Sequence, residues 1–365
     1  MMRHRFHSMC PYFAMFPEEF ARKHIAAWSE PGDLVFDPFA GRGTAVFESL
    51  LNGRHAAGCD TNPVAVCVSN AKCNPPTLHD LLSRIDEIES GFTTNVKDDR
   101  IWDNPFFNIC FHENTLGQIL WLRRTLRWRT SNIDCFLAAV ALGCLHGESH
   151  RTENCLSNRM PRIISTKPDY SVRWWKANEC IAPERHAFDI LRRMVVYRFA
   201  SEPAEIRGCV KESDARLSVS VFPELQGVVK LVVTSPPYLD TTNFQEDQWL
   251  RLWFLGGADH PRRDGTGDDR HRSAKTYWTF LEDSWRGLTR LLRDDARIVV
   301  RIGGHLTLDE CRDKLISGLE CGLGRTLIVH QDGYTSRIHS GQLRAFRPGA
   351  VGTRHEHDFV VSLAG

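Results

Sequence analysis

Leu34-Val35-Phe36-Asp37-Pro38-Phe39-Ala40-Gly41-Arg42-Gly43-Thr44 is the stretch on which the fold turns. Three apolar residues ending on an acid read as a short buried strand. The Gly-x-Gly turn after them lets a ligand approach the backbone, and Val46, Phe47, Leu50 and Leu51 recur at helical spacing. Gly53 ends that helix. Ala56-Ala57-Gly58-Cys59 then reads as a second strand tipped by Asp60, and Thr61-Asn62-Pro63 opens a helix over 64–72. Strand, glycine turn, helix, strand and acid make a βαβ nucleotide-binding unit. Upstream, Phe16-Pro17 introduces a helix over 18–28, which Pro31-Gly32-Asp33 breaks.

The glycine turn fails the fingerprints of two cofactor classes. From Gly41 the pattern runs Gly-Arg-Gly-Thr-Ala-Val, so Val46 stands where the dinucleotide fingerprint needs its third glycine, which disfavours a nicotinamide-dependent oxidoreductase. No Gly-Lys-Ser/Thr follows, so a phosphate-binding Walker loop is out. An acid at a strand tip beside a tight turn instead suits a cofactor bearing an amine. Asp60 has the placement to accept both ribose hydroxyls, and Asp214, after a third strand at 209–210, could accept from an adenine amino group. Each of these acids alone could equally be a helix cap.

A second decisive stretch is Val228-Val229-Lys230-Leu231-Val232-Val233, stopping at Thr234-Ser235-Pro236-Pro237-Tyr238. A β-branched run that halts at two prolines predicts a buried strand followed by a stiff loop carrying a hydroxyl and bare carbonyls. In an open α/β sheet that edge is where ligands bind. Between the two stretches, 74–207 interrupts the alternation with helical patterns over 78–88, 117–126, 133–145 and 187–199 and an irregular tract over 147–168. This insertion concentrates Arg123, Arg124, Arg127, Trp128, Arg129, Arg173, Trp174, Trp175 and Lys176. Such a composition fits phosphate neutralisation and base stacking, or equally an aromatic core with snorkelling arginines. Beyond the proline loop the spacing predicts helices over 245–255, 277–292 and 308–319. Strands are expected over 296–302, 327–330 and 357–363, the last two as an antiparallel hairpin. Polar loops over 256–275, reading as mobile, and 337–356, with Arg337, Arg344, Arg347 and Arg354, are secondary candidates for nucleic-acid contact.

Composition sets the class. With 365 residues and a formal charge of +1, the chain can bury a sizeable core, and any affinity for nucleic acid must come from local patches. The twelve cysteines are scattered without a C-x-x-C pair, which predicts reduced thiols. Met1-Met2-Arg3-His4-Arg5 leads into no apolar h-region, and the apolar run 136–145 is too short for a bilayer. A soluble, cytoplasmic protein is expected. Cys144, His146, His150 and Cys155 are ligand types, but their spacing matches no zinc pattern, so no metal is expected.

Taken together, these motifs resemble the S-adenosylmethionine-dependent amino-methyltransferases of DNA. The glycine motif is similar to Asp37–Thr44, the catalytic motif to Ser235-Pro236-Pro237-Tyr238, the cofactor-side motif to Phe16-Pro17, the ribose motif to Gly58–Pro63 and the adenine-side motif to Ser213–Arg216. The resemblance covers about 16–73 and 208–304. Arg42 and Ser213 depart from it, standing where a small residue and a glycine are common.

What the resemblance implies is a Rossmann-like, seven-stranded α/β methyltransferase sheet, mostly parallel with an antiparallel C-terminal hairpin. Its halves, 1–73 and 208–365, would flank a helical recognition insertion at 74–207. S-adenosylmethionine is the implied cofactor, held by Phe16, Pro17, Asp37, Pro38, Phe39, Gly41, Gly43, Thr44, Asp60, Asn62, Pro63, Asp214 and Ala215. Ser235, Pro236, Pro237 and Tyr238 would be catalytic, with the Ser235 hydroxyl and Pro236 carbonyl accepting the two N–H bonds of a delocalised, poorly nucleophilic amine. Tyr238 would stack on the base flipped from double-stranded DNA. A serine opening the motif implies N4 of cytosine, with N6 of adenine as runner-up and an RNA amine less favoured. An inactive DNA-binding module is the remaining alternative class. A restriction nuclease is a candidate partner. No Pro-Cys dipeptide occurs, which excludes the C5-cytosine route.

Overall fold

The sheet is built from β1 (Leu34–Asp37), β2 (His55–Asp60), β3 (Cys209–Glu212), β4 (Val229–Thr234), β5 (Leu292–Gly304), β6 (Leu327–Arg337) and β7 (His355–Leu363). Its order is β3-β2-β1-β4-β5-β7-β6. The first five strands in that order pair parallel, and β7 lies antiparallel between β5 and β6. This is the mixed Rossmann-like sheet expected from the motifs. The computed structural model describes residues 3–12, 16–93, 99–239, 244–261, 273–304, 307–337 and 355–364.

Residues divide between the two faces of the sheet with the two-residue period of a strand. Val35, Leu231, Val233, Val299 and Val360 pack under Phe20, Ala21 and Ile25 of helix α1 (Glu18–Trp28). Phe36, Val232, Ile298, Val300, Phe359 and Val361 face the other way, against the helices Ala274–Arg286 and Leu308–Leu323. Both faces are covered, so β4 reads as a nearly continuous apolar run. Each such side chain taken from water contributes roughly 1.5–3 kcal/mol. Helix α2 (Thr44–Leu51) follows the glycine turn, and α3 (Pro63–Cys73) follows β2.

Contacts divide the chain into two compact units. The sheet unit is 14–69, 204–242 and 265–365; the helical unit is 1–13, 70–203 and 243–264. The helical unit holds Glu113–Thr125, Asn132–Cys144 and Ala187–Phe199, close to where periodicity put helices. It also holds Pro105–Cys110 and Pro168–Ala177, each started by a proline in its first turn. Within it Trp249 packs edge-on against Phe106 and Trp253 lies tilted against Phe107, at ring separations of 4.8 and 4.5 Å. The 245–255 pattern is split into Phe244–Asp247 and Trp249–Phe254.

One boundary is corrected. The helix expected over 277–292 ends at Arg286, and Leu292 already pairs with Val229 as the start of β5. The cause is at Gly287, where a Cβ would lie 2.6 Å from the carbonyl of Ala215 and 2.7 Å from that of Arg216. Only a glycine lets the helix end pass so close to another backbone. No helix among the described residues is long and apolar enough to cross a membrane.

Candidate active site

Four neighbouring parallel strands end in a row of polar residues. Asp60 and Asp37 are the last residues of β2 and β1, Asp214 follows β3 by two residues, and Ser235 follows β4 directly. Because the order is β3-β2-β1-β4, the row runs Asp214, Asp60, Asp37, Ser235 along one edge, with strands about 4.8 Å apart. The Cys59 thiol lies among the three carboxylates. Burial first, then their charges, push it up to about 12 against the Ser218 hydrogen bond, so it is an inert thiol.

Asp37 is buried. Its Oδ1 accepts from the Thr234 hydroxyl at 2.6 Å and from the Phe39 amide at 3.0 Å, while Oδ2 has no partner among the described residues. Burial raises its pKa to about 7, against the pull of those two hydrogen bonds. A sealed carboxylate with one unsatisfied oxygen is costly when ionised. A cation arriving beside the turn would compensate it, and the ammonium of S-adenosylmethionine fits that need. The Thr234 bond also ties the acid to the residue that begins the proline loop.

Asp60 is anchored by two amides, that of Gly41 to Oδ2 and that of Asn62 to Oδ1, both at 2.8 Å. A carboxylate has about four lone-pair sites, and its place at the tip of β2 suits it to vicinal hydroxyls. Asn62 is buried and caps α3 by accepting from the Val64 amide at 3.0 Å, with Pro63 at the helix start. Asp214 is more heavily committed. Arg216 holds it through Nε, Nη2 and its backbone amide, at 2.8–3.0 Å, and Ala215 begins the short helix that Asp214 caps. Less of Asp214 is left for an adenine amine than the sequence implies.

The glycine turn is fixed by α3. Gly41 and Gly43 have φ of +50° and +70°, and the Ser69 hydroxyl donates to the Gly41 carbonyl at 2.9 Å. A Cβ at Gly43 would stand 2.6 Å from Ser69 Oγ and 2.8 Å from its Cβ. Gly43→Ala should therefore destabilise the chain by about 1–3 kcal/mol, since left-handed strain and the clash add. Denaturant melts of the two proteins would check this, and an unchanged midpoint would contradict it. Arg42 is buried and pairs with Glu18 of α1 at 2.7 Å, with its Nε 3.3 Å from the Thr44 hydroxyl. That contact explains how a long side chain is accommodated in the turn. Pro38 is buried, and the half-buried Phe39 packs edge-on against Phe280 and Trp285. Phe16 is buried against Phe20, whereas Pro17 caps α1 and is exposed.

The proline loop carries a hydrogen-bond chain that sequence reading missed. Ser235 Oγ donates to the Tyr238 hydroxyl at 3.3 Å, and that hydroxyl donates to Glu356 Oε1 at 2.9 Å. Arg301 Nη1 donates to Glu356 Oε2 at 3.1 Å and binds Asp358 through Nε and Nη2 at 2.7 and 2.8 Å. Its guanidinium carbon lies 3.9 Å over the Phe20 ring. Burial, then the Glu356 charge, holds the Tyr238 phenol well above its usual pKa, so it keeps its proton. Burial likewise raises Glu356, opposed by Arg301 and the Tyr238 hydrogen bond. The one available signal was charge in a buried strand: Arg301 and Asp358 interrupt apolar runs and face each other across β5 and β7.

In the helical unit the basic-aromatic residues separate. Trp175 is core, its indole donating to the Arg159 carbonyl at 2.6 Å, and Arg123 caps the Trp253 carbonyl at 2.8 Å. Arg124, Arg127, Arg129, Arg173 and Lys176 are exposed, and Arg129 lies 4.0 Å over Trp128. His146 is buried, with its ring nitrogens at the Pro161 carbonyl and the Ser165 hydroxyl. Residues 262–272 and 338–354, with Arg344, Arg347 and Arg354, lie outside the described residues.

Residues 3–71 match the family described as DNA methylase, covering N6 and N4 enzymes. The orphan methyltransferase M.BamHII of Bacillus amyloliquefaciens is 41% identical over 59 residues, 16% of this chain and 22% of that one. The chain thus spans about a fifth of the length of this curated relative. Among solved structures, the rRNA methyltransferase aviRa of Streptomyces viridochromogenes aligns with a TM-score of 0.34 at 12% identity, covering 99% of this chain and 90% of that one. TrmN of Thermus thermophilus aligns with a TM-score of 0.37 at 10% identity, covering 99% and 53%. Scores this low say nothing of the chemistry. The match over residues 3–71 takes in Asp37, the glycine turn and Asp60, and over that stretch the chain is similar to the DNA methylase family.

Proposed function

We propose that this chain transfers a methyl group from S-adenosylmethionine to the exocyclic N4 amine of cytosine in DNA, on a base turned out of the duplex. The observation that carries this reading is the row Asp214, Asp60, Asp37 and Ser235 at the ends of four neighbouring parallel strands. S-adenosylmethionine, when bound, would supply a methyl group on a sulfonium: the nitrogen lone pair takes the methyl, the C–S electrons stay on the sulfur of the departing thioether, and the extra proton on the nitrogen passes to water. Asp37 and the glycine turn offset the charge of its amine, and Asp60 orients its ribose. Ser235 Oγ and the Pro236 carbonyl accept the two N–H bonds of the base amine, drawing the nitrogen toward tetrahedral geometry. The two prolines hold those acceptors still, so catalysis is chiefly placement. Tyr238 stacks on the base while its hydroxyl stays tied to Glu356. The exposed Arg124, Arg127, Arg129, Arg173 and Lys176 are the proposed phosphate contacts of the 74–207 recognition region.

The serine opening the loop is what favours cytosine. N6 of adenine is the second reading, because neither loop acceptor reads the ring. A companion restriction nuclease fits such an enzyme. Purified protein given methyl-labelled cofactor and either duplex DNA or duplex RNA of the same sequence should label the DNA. Label in the RNA alone would contradict the proposal.

A further inference from the structure

We propose that Glu356 is a positioning residue that acts through Tyr238 to fix the direction of the hydrogen bonds at Ser235, so that Ser235 meets the substrate amine as an acceptor only. This rests on the amine-methylation reading above but not on which base is methylated.

A serine hydroxyl is both donor and acceptor and rotates to suit its neighbours. An amine that must lose electron density from two N–H bonds is hindered if that hydroxyl points its own proton into the site. The chain of bonds removes this freedom. Glu356 Oε1 can only accept, so it takes the Tyr238 proton at 2.9 Å. The Tyr238 oxygen is then left as an acceptor, and it takes the Ser235 proton at 3.3 Å. The lone pairs of Ser235 Oγ are left facing outward. Arg301 keeps Glu356 in place through Oε2 at 3.1 Å and is itself held by Asp358. The polarity of the catalytic loop is thus set by a residue 118 positions further along the chain.

Glu356→Gln inverts this arrangement. Arg301 has only N–H donors, so it takes the glutamine oxygen and leaves the amide NH2 facing Tyr238. The phenol then accepts from Gln and donates to Ser235, which turns its proton toward the substrate. Protonation of Glu356 at low pH has the same effect. The groups facing Glu356 are Tyr238 from the loop, Arg301 from β5 and Asp358 on its own strand, while its pairing partner on β6 is Ser336.

The test is kcat and KM for DNA, with cofactor saturating, across pH 5–9, together with melting temperatures, for the natural chain, Glu356→Gln, Glu356→Asp and Tyr238→Phe. Glu356→Gln should lower kcat at least tenfold with KM for DNA within threefold, and Glu356→Asp should recover most of the loss. The natural chain should show an acid limb in kcat that Tyr238→Phe lacks, because the serine is then uncoupled from the carboxylate. That comparison decides the matter even if Glu356→Gln fails to fold. An active natural chain whose kcat is matched by Glu356→Gln, or a Tyr238→Phe protein that keeps the acid limb, overturns the proposal alone. A natural chain that methylates no amine overturns the functional reading and this proposal with it.

Discussion

Ser235→Ala should lower kcat for methyl transfer by about 100-fold or more, a loss comparable with removing one preorganised polar partner of a transition state. The Pro236 carbonyl remains, so one of two acceptors survives and activity falls without vanishing. KM for DNA should change little, because the lost bond strengthens as the nitrogen becomes tetrahedral and matters least in the ground state. Stability should be nearly unaffected. Ser235 is half-buried, and among the described residues its hydroxyl bonds to Tyr238 at a long 3.3 Å. Steady-state kinetics with a parallel melt would check this, and a Ser235→Ala protein with natural kcat would remove the loop from the chemistry.

Asp37→Asn should separate stability from function. The folded chain holds a proton on Asp37 up to about pH 7, whereas an unfolded aspartate releases it near 3.8. Between those values the folded state binds more protons than the unfolded one, so stability falls as pH rises, and the full penalty is present above pH 7. The penalty is on the order of a few kcal/mol. An asparagine keeps an acceptor for the Thr234 hydroxyl and the Phe39 amide but carries no charge. The variant should melt higher than the natural chain at pH 8 and close to it at pH 5. Its affinity for S-adenosylmethionine should fall at least tenfold at pH 8, since the amine loses its counter-charge. In the natural chain the affinity should itself weaken below pH 7. Calorimetric titration and melts at the two pH values test both halves, and unchanged affinity would place the ammonium elsewhere.

The central sheet was legible because its signals are local. Each of β1, β2 and β4 is a short apolar run followed at once by a turn whose chemistry is written in sequence: Asp37 before Gly41 and Gly43, Asp60 before Asn62-Pro63, Thr234 before two prolines. Helix ends were less legible where a distant contact decides them. The end at Arg286 depends on the backbone of Ala215 and Arg216, far away in the chain. The same holds at the site. Asp37 and Ser235 could be picked out, but the bond from Thr234 to Asp37 spans 197 positions and that from Tyr238 to Glu356 spans 118. No periodicity encodes such pairs. Arg42 looked like a misfit until Glu18 supplied its partner. Trp175, read beside its basic neighbours, could not be told from a stacking platform until its burial was known.

The most direct test of methylation at a base amine is mass analysis of digested DNA from cells expressing the natural chain, beside cells expressing Ser235→Ala. The predicted result is N4-methylcytosine in the first and its loss in the second. N6-methyladenine alone would contradict the assignment to cytosine, and DNA free of any methylated amine in both would contradict the account.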